Sequence, residues 1–147
     1  MTLVTKRYPL RARDFLHAGE ASVQVQAMLK AMRLDPGLIR RVAICSYEAE
    51  MNAVIHGGDG ELEMALSEDR IVVEVRDAGA GIADIELAMQ PGYSTADETA
   101  REMGFGAGMG LPNMKSHADE LEIDSAPGRG TRARMVFHRR PPQEKAP

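Results

Sequence analysis

A carboxylate and a carboxamide lie one helical turn apart near the middle of the chain, at Glu48 and Asn52. At about 100° per residue they are about 40° apart on a helix and share one face, with His56 a further turn along. The carboxylate can take a proton from a hydroxyl group or water, and the carboxamide oxygen can ligate a hard cation such as Mg²⁺. Glu50 falls about 160° from Asn52 and is expected to serve no common site with it. A polar helix stripe would show the same pair, and His56 either lines the site or only ends the helix.

A second candidate group is Asp77-Ala-Gly79-Ala-Gly81, which directly follows a predicted strand. The two glycines let the backbone approach a ligand closely, because they carry no Cβ. The Asp77 carboxylate can accept a hydrogen bond from an exocyclic amine such as that of adenine. A turn from strand to helix is the alternative, since Asp and Gly are favoured in turns in any case.

The third candidate group is a run of glycines at every second position, which opens directly into a predicted helix with Pro112 in its first turn. These glycines are Gly104, Gly106, Gly108 and Gly110. Bare backbone N–H groups next to a helix N-terminus form an anion site that suits phosphates. No Gly-Lys-Ser/Thr follows and no βαβ unit surrounds the run, which excludes a P-loop and a dinucleotide fingerprint. A flexible linker is the alternative.

The elements that must position these groups follow from residue periodicity. In the first half of the chain, Asp35-Pro36 indicates a helix start, with Asp35 as N-cap. Pro9 favours an edge position for the first strand. In the first helix, the residues at helical spacing are Val23, Ala27, either Leu29 or Lys30, and Ala31. The predicted elements are a strand over Lys6–Arg13, a helix over Glu20–Arg33, a helix from Pro36 to about Ile55, and a hairpin of Glu61–Leu66 with Ile71–Arg76.

The second half of the chain completes an α+β two-layer sandwich, because its strands form hairpins and do not alternate strictly with helices. Pro127-Gly-Arg-Gly130 indicates the turn between the last two strands. The predicted elements are a short helix over Asp84–Met89, a loop over Pro91–Gly104, a helix over Leu111–Ala118, and strands over Leu121–Ser125 and Thr131–Phe137. We expect one domain over residues 1–140 and a disordered tail over 141–147.

The composition of the 147 residues, with 44% hydrophobic and 27% charged, is that of a globular protein. An apolar run of about 18 residues and a signal-peptide h-region are both absent, so we expect no membrane association and a cytoplasmic location. The single cysteine excludes an internal disulfide and any multi-cysteine metal site. We expect Cys45 to be a small buried apolar residue and not a nucleophile.

Charge is strongly segregated along the chain. Residues 1–45 hold 8 basic and 3 acidic residues, residues 46–128 hold 4 and 18, and residues 129–147 hold 6 and 1. The acidic middle argues against a nucleic-acid partner for that region. The basic ends could meet an acidic protein or could simply lie in water.

Taken in this order, the three candidate groups resemble the GHKL superfamily of ATP-binding proteins. Residues 48–57 are similar to its N box, residues 77–81 to its Asp-x-Gly-x-Gly box, and residues 104–110 to its glycine-rich lid box. Residues 127–131 look like its closing Gly-Thr element, and the resemblance covers residues 36–137. It implies the GHKL (Bergerat-type) ATP-binding fold, a two-layer α/β sandwich with a mixed, mostly antiparallel sheet.

Within the superfamily the chain most resembles the small anti-sigma-factor serine/threonine kinases and the stress-response switch kinases. Residues 92–95, Gly-Tyr-Ser-Thr, are similar to the switch kinases, and the stretch from Glu48 to Gly57 is similar to the anti-sigma kinases. The resemblance implies an ATP-dependent serine/threonine kinase that phosphorylates a small antagonist protein in a partner-switching circuit. A sigma factor and a second copy of the chain are further expected partners. The alternatives are a non-catalytic ATP-binding anti-sigma module and a detached histidine-kinase catalytic domain.

The resemblance also implies roles for single residues. Glu48 would be the general base, and Asn52 would bind Mg²⁺. Asp77 would hold the adenine amino group, with Thr131 nearby. The residues implied to line the adenine pocket or wrap the ATP phosphates are Gly79, Gly81, Gly104, Gly106, Gly108, Met109, Gly110 and Leu111.

Overall fold

The computed structural model describes residues 2–56, 58–81, 87, 89–90 and 110–139. Within these residues, five strands form one sheet in the order β1-β2-β3-β5-β4, and all four of its pairings are antiparallel, not mixed as the resemblance implied. The three helices of the same ranges pack on the sheet, which confirms the predicted two-layer α+β sandwich. The elements are β1 (Thr2–Leu10), α1 (Glu20–Ala31), α2 (Pro36–His56), β2 (Gly60–Ser67), β3 (Arg70–Asp77), α3 (Gly110–His117), β4 (Glu120–Ser125) and β5 (Thr131–His138).

Some predicted features lie outside the described residues. The loop over 91–104 and the tail over 141–147 fall there entirely, and so does the short helix over 84–89 apart from Leu87 and Met89. None of the helices in the described ranges is long and apolar enough to cross a bilayer.

Helix α2 is the central element of the helical layer, and its bounds match the prediction to within one residue. The Asp35 carboxylate accepts a hydrogen bond from the Leu38 N–H at 3.0 Å, which confirms Asp35 as the N-cap. The helix ends at His56, ahead of the glycine pair at 57–58. Its buried apolar stripe, spaced at three to four residues, packs into the main core and consists of Leu38, Val42, Cys45, Ala49 and Ala53.

The β2–β3 hairpin forms as predicted, because its apolar residues alternate toward one face. That inner face carries Leu62, Met64, Leu66, Ile71, Val73 and Val75, all buried in the core beneath the helices. The opposite face carries ion pairs that cross strands, including Arg7 with Glu63 at 2.8 Å and Arg132 with Glu74 at 2.9 Å. Basic residues from both ends of the chain therefore pair with its acidic middle.

The structure corrects two predictions in the N-terminal region. Strand β1 ends at Leu10 and not at Arg13, because Arg13 adopts a φ of 62° and donates its N–H to the Val54 carbonyl at 2.8 Å. In α1 the predicted apolar set is only partly right: Val23 is 63% exposed, whereas Leu29 is fully buried together with Val25. The apolar residues of α1 lie on several of its faces, so their spacing alone did not identify the buried face.

A buried carboxylate from α2 caps the start of α1. Glu50 is only 2% exposed and accepts hydrogen bonds from the N–H groups of Gly19 at 3.0 Å, Ala21 at 3.3 Å and Ser22 at 3.0 Å. The Ser22 hydroxyl donates a fourth at 2.6 Å. Because Gly19 has no side chain to cap α1, Glu50 of α2 satisfies the helix start from outside. Glu50 thus points away from Glu48 and Asn52, as its helical position indicated.

We expect Glu50→Ala to lower the free energy of unfolding by about 3–4 kcal/mol, because it leaves three N–H groups and a hydroxyl buried without an acceptor. Urea unfolding followed by circular dichroism measures this change. Glu50→Gln keeps one acceptor oxygen and should lose less. Glu68→Ala, in the exposed β2–β3 turn, is the control and should change stability by less than about 0.5 kcal/mol. A Glu50→Ala loss no larger than that of the control would contradict the capping role.

Candidate functional site

Helices α2 and α3 run antiparallel and touch at four successive points. Residues one helical turn apart on α2 meet residues progressively nearer the start of α3, so the N-terminal end of α3 lies beside the C-terminal half of α2. The four pairs are Arg41 with His117, Cys45 with Met114, Glu48 with Asn113, and Asn52 with Gly110.

The structure brings together three of the predicted site residues, Glu48, Asn52 and Gly110. A Cβ placed on Gly110 would lie 3.2 Å from both amide atoms of Asn52 and 3.3 Å from Oε2 of Glu48. Only glycine therefore leaves both side chains where they are. The first turn of a helix has N–H groups without intrahelical partners, and in α3 that turn includes the predicted residue Leu111.

Asp77 ends β3 in a half-buried position. Its Oδ1 accepts a hydrogen bond from the Gly79 N–H at 2.9 Å. Burial raises the pKa of Asp77, and the opposing effects come from the N–H groups of Gly79, Gly58 and Thr131 and from the nearby His56. A carboxylate offers about four acceptor positions, so Asp77 is held by the backbone and can still accept from a ligand.

Thr131 starts β5 directly opposite Asp77 in the sheet. Its hydroxyl oxygen lies 2.8 Å from that of Ser125, which donates to the Gly130 carbonyl at 3.0 Å. Gly130 has a φ of 78°, and a Cβ there would overlap the Asp77 carbonyl oxygen. Glycine at 130 thus lets the predicted Gly-Thr element close onto the end of β3.

Glycine is required at position 81 by the close approach of two backbone segments. Its φ is 81°, and a Cβ would overlap the Ala126 carbonyl oxygen. The turn that follows Asp77 also receives a hydrogen bond from the Gly128 N–H to the Ala80 carbonyl at 2.7 Å. The structure thus places Gly79 and Gly81 next to Asp77, between the ends of β3 and the β4–β5 turn.

The remaining predicted lid residues, Gly104, Gly106, Gly108 and Met109, lie outside the described residues, and their roles stay predictions. The sequence reasoning missed Asn113, which donates to Glu48. The available signal was its position three residues after Gly110, on the same side of the predicted helix. Cys45 is buried as predicted, and burial raises the pKa of its thiol to about 12.

The residues present suit a magnesium nucleotide. Within the described ranges, no group of three or more His, Cys, Asp or Glu residues could hold a metal ion. Mg²⁺ commonly takes few protein ligands and keeps water and phosphate oxygens for the rest of its coordination. The Asn52 carboxamide, beside a glycine where even a methyl group would be in tight contact with it, fits that mode of binding.

Comparison with known proteins agrees with this geometry. Residues 12–137, which include both ends of the site, match the histidine kinase-like ATPase domain. The chain is 40% identical to the anti-sigma F factor of Thermoanaerobacter sp. strain X514 over 113 residues, which cover 72% of this chain and 76% of that protein. It is 31% identical to the anti-sigma F factor of Bacillus subtilis strain 168 over 131 residues, which cover 84% of this chain and 86% of that protein. The chain therefore belongs to the histidine kinase-like ATPase family of the GHKL superfamily.

Proposed function

We propose that this protein is an ATP-dependent serine/threonine kinase of the anti-sigma type that phosphorylates a small antagonist protein in a partner-switching circuit. The observation that carries the proposal is the convergence of Glu48, Asn52 and Gly110, since nucleotide binding alone requires no carboxylate at that point. Two relatives named anti-sigma F factor support it, because their similarity extends over most of the chain. A sigma factor and a second copy of the chain are the further partners we propose, in the cytoplasm.

The nucleotide end of the proposed site is formed by Asp77 and its neighbours. The Asp77 carboxylate accepts a hydrogen bond from the purine amino group, and Thr131 lies beside it across the sheet. Gly79 and Gly81 form the adjoining wall of the purine pocket. The proposed phosphate-binding residues are the glycines at 104, 106, 108 and 110, with Met109 and the Leu111 N–H.

The transfer end of the proposed site is formed by α2. The Asn52 oxygen holds Mg²⁺, and Glu48 accepts the proton from the serine or threonine hydroxyl of the partner. Bound ATP would supply the γ-phosphoryl group and leave as ADP, and Mg²⁺ would offset much of the phosphate charge. Phosphoryl transfer depends mainly on positioning and charge neutralisation. The transfer step therefore needs few protein groups beyond one base and one metal ligand that are held side by side.

We expect Glu48→Ala to keep ATP affinity and to lose phosphoryl transfer by about 10²- to 10⁴-fold, because only the proton acceptor is removed. Transfer from labelled ATP to a candidate antagonist protein and equilibrium binding of a fluorescent ATP analogue measure the two quantities. Asp77→Asn should lose nucleotide binding itself, and Glu68→Ala should change neither transfer nor binding.

Full transfer by Glu48→Ala would contradict the role of Glu48 as the base. Wild-type binding without transfer would favour the non-catalytic module, and acid-labile phosphorylation would favour a histidine kinase.

We expect ATP binding to require Mg²⁺ and to be negligible in excess chelator. The reason is electrostatic: residues 46–128 hold 18 acidic and 4 basic residues, and ATP adds about four negative charges there. Equilibrium dialysis of labelled ATP with magnesium, with EDTA, and with EDTA followed by added magnesium measures the dependence. Tight binding in EDTA would contradict the proposed role of Asn52.

We expect Gly110→Ala to lower activity much more than stability. Gly110 is the first residue of α3, where alanine gains little helix propensity over glycine, whereas the added methyl group would force Asn52 and Glu48 to move by a few tenths of an ångström. Thermal unfolding should show a nearly unchanged midpoint, while transfer falls by about tenfold or more. Ser116→Ala, on the exposed part of α3, is the matched control. A fully active Gly110→Ala protein would refute the crowding argument.

A further inference from the structure

Glu48 receives a hydrogen bond from an element remote in sequence. The Asn113 Nδ2 group donates to Oε1 of Glu48 at 3.3 Å, across 65 positions of the chain, in a part-buried setting. The other carboxylate oxygen, Oε2, faces Gly110. The two oxygens of Glu48 therefore have different surroundings: one is held by an amide, and the other points toward the start of α3.

Other contacts fix the position of α3 independently of Asn113. At the far end of the helix, Arg41 donates to the His117 carbonyl at 3.1 Å and lies 3.4 Å from the Asp119 carboxylate. Along its length, Leu111 and Met114 are buried in the core. Because α3 is set against α2 by these contacts, replacement of Asn113 should leave the helix in place. The effect of replacing Asn113 on Glu48 can then be measured separately from any effect on the fold.

We propose that Asn113 is a positioning residue that holds the Glu48 carboxylate in orientation for proton transfer. This inference rests on the proposed kinase function, in which Glu48 is the base. An amide donor suits the task, because it binds one oxygen and leaves the second free to accept the proton. Asn113 also belongs to the helix that starts at Gly110, so its hydrogen bond links Glu48 to the helix that follows the glycine-rich segment.

The test compares four variants in the complete protein. Asn113→Leu keeps the size of the side chain and removes the donor, and kcat should fall about tenfold because the base loses its orientation. The KM for ATP and the affinity for a fluorescent ATP analogue should stay within about twofold. Asn113→Asp should be worse, because it sets two carboxylates together. Asn113→Gln should recover part of kcat, and Lys115→Ala, exposed on the same helix, should match wild type.

A double-mutant cycle shows whether Asn113 acts through Glu48. In a Glu48→Ala background, Asn113→Leu should cause no further loss of kcat, because the group that it positions is gone. Additive losses, an unchanged kcat in the single variant, or parallel losses of kcat, ATP affinity and thermal midpoint would overturn the inference. Each of these results leaves the proposed function intact if wild type transfers phosphate and Glu48→Ala does not. A wild-type protein without transfer would overturn both proposals.

Discussion

The packing of α3 against α2 is the constraint on which the site depends. Glu48 and Asn52 lie together on α2 for reasons of helical geometry alone. Only the antiparallel contact with α3 brings Gly110 to within van der Waals distance of both. The arrangement is anchored three turns away, where Arg41 binds the last turn of α3. A change in register between the two helices would therefore separate Glu48 and Asn52 from Gly110, while each helix stayed intact.

Helix α2 can hold this contact in place because its other faces are fixed by core packing and by hydrogen bonds. The stripe that includes Val42 and Cys45 is buried in the core, and Glu50 binds the start of α1 through four hydrogen bonds. A helix held on two sides has little freedom to rotate. The third side, with Glu48 and Asn52, is thereby fixed in direction. Preorganisation of the candidate site thus comes from packing and capping elsewhere on the same helix.

Local patterns predicted the elements of this fold better than they predicted its contacts. The hairpin, the Asp35 cap and the bounds of α2 follow from alternation and capping chemistry. The inner face of α1 followed only in part, because apolar residues lie on several of its faces and tertiary packing selects between them. Asn113 was missed although its position three residues after Gly110 was visible, because nothing near it in sequence indicates Glu48 as its partner. Side-chain pairing between distant elements is set by tertiary packing, which a single sequence does not display.

The glycines near the site have two distinct physical causes, and only one of them concerns a ligand. Gly81 and Gly130 have positive φ, and a Cβ on either would meet a neighbouring backbone carbonyl. Closure of the β4–β5 turn onto the end of β3 requires glycine at both positions, whatever ligand lies nearby. Gly110 is different, because the space that it leaves is bounded by the two polar side chains Asn52 and Glu48. Because Gly110 is the first residue of α3, glycine costs little helix propensity there. The clearance that Asn52 and Glu48 need, and not the backbone of the helix, is therefore what favours glycine at this position.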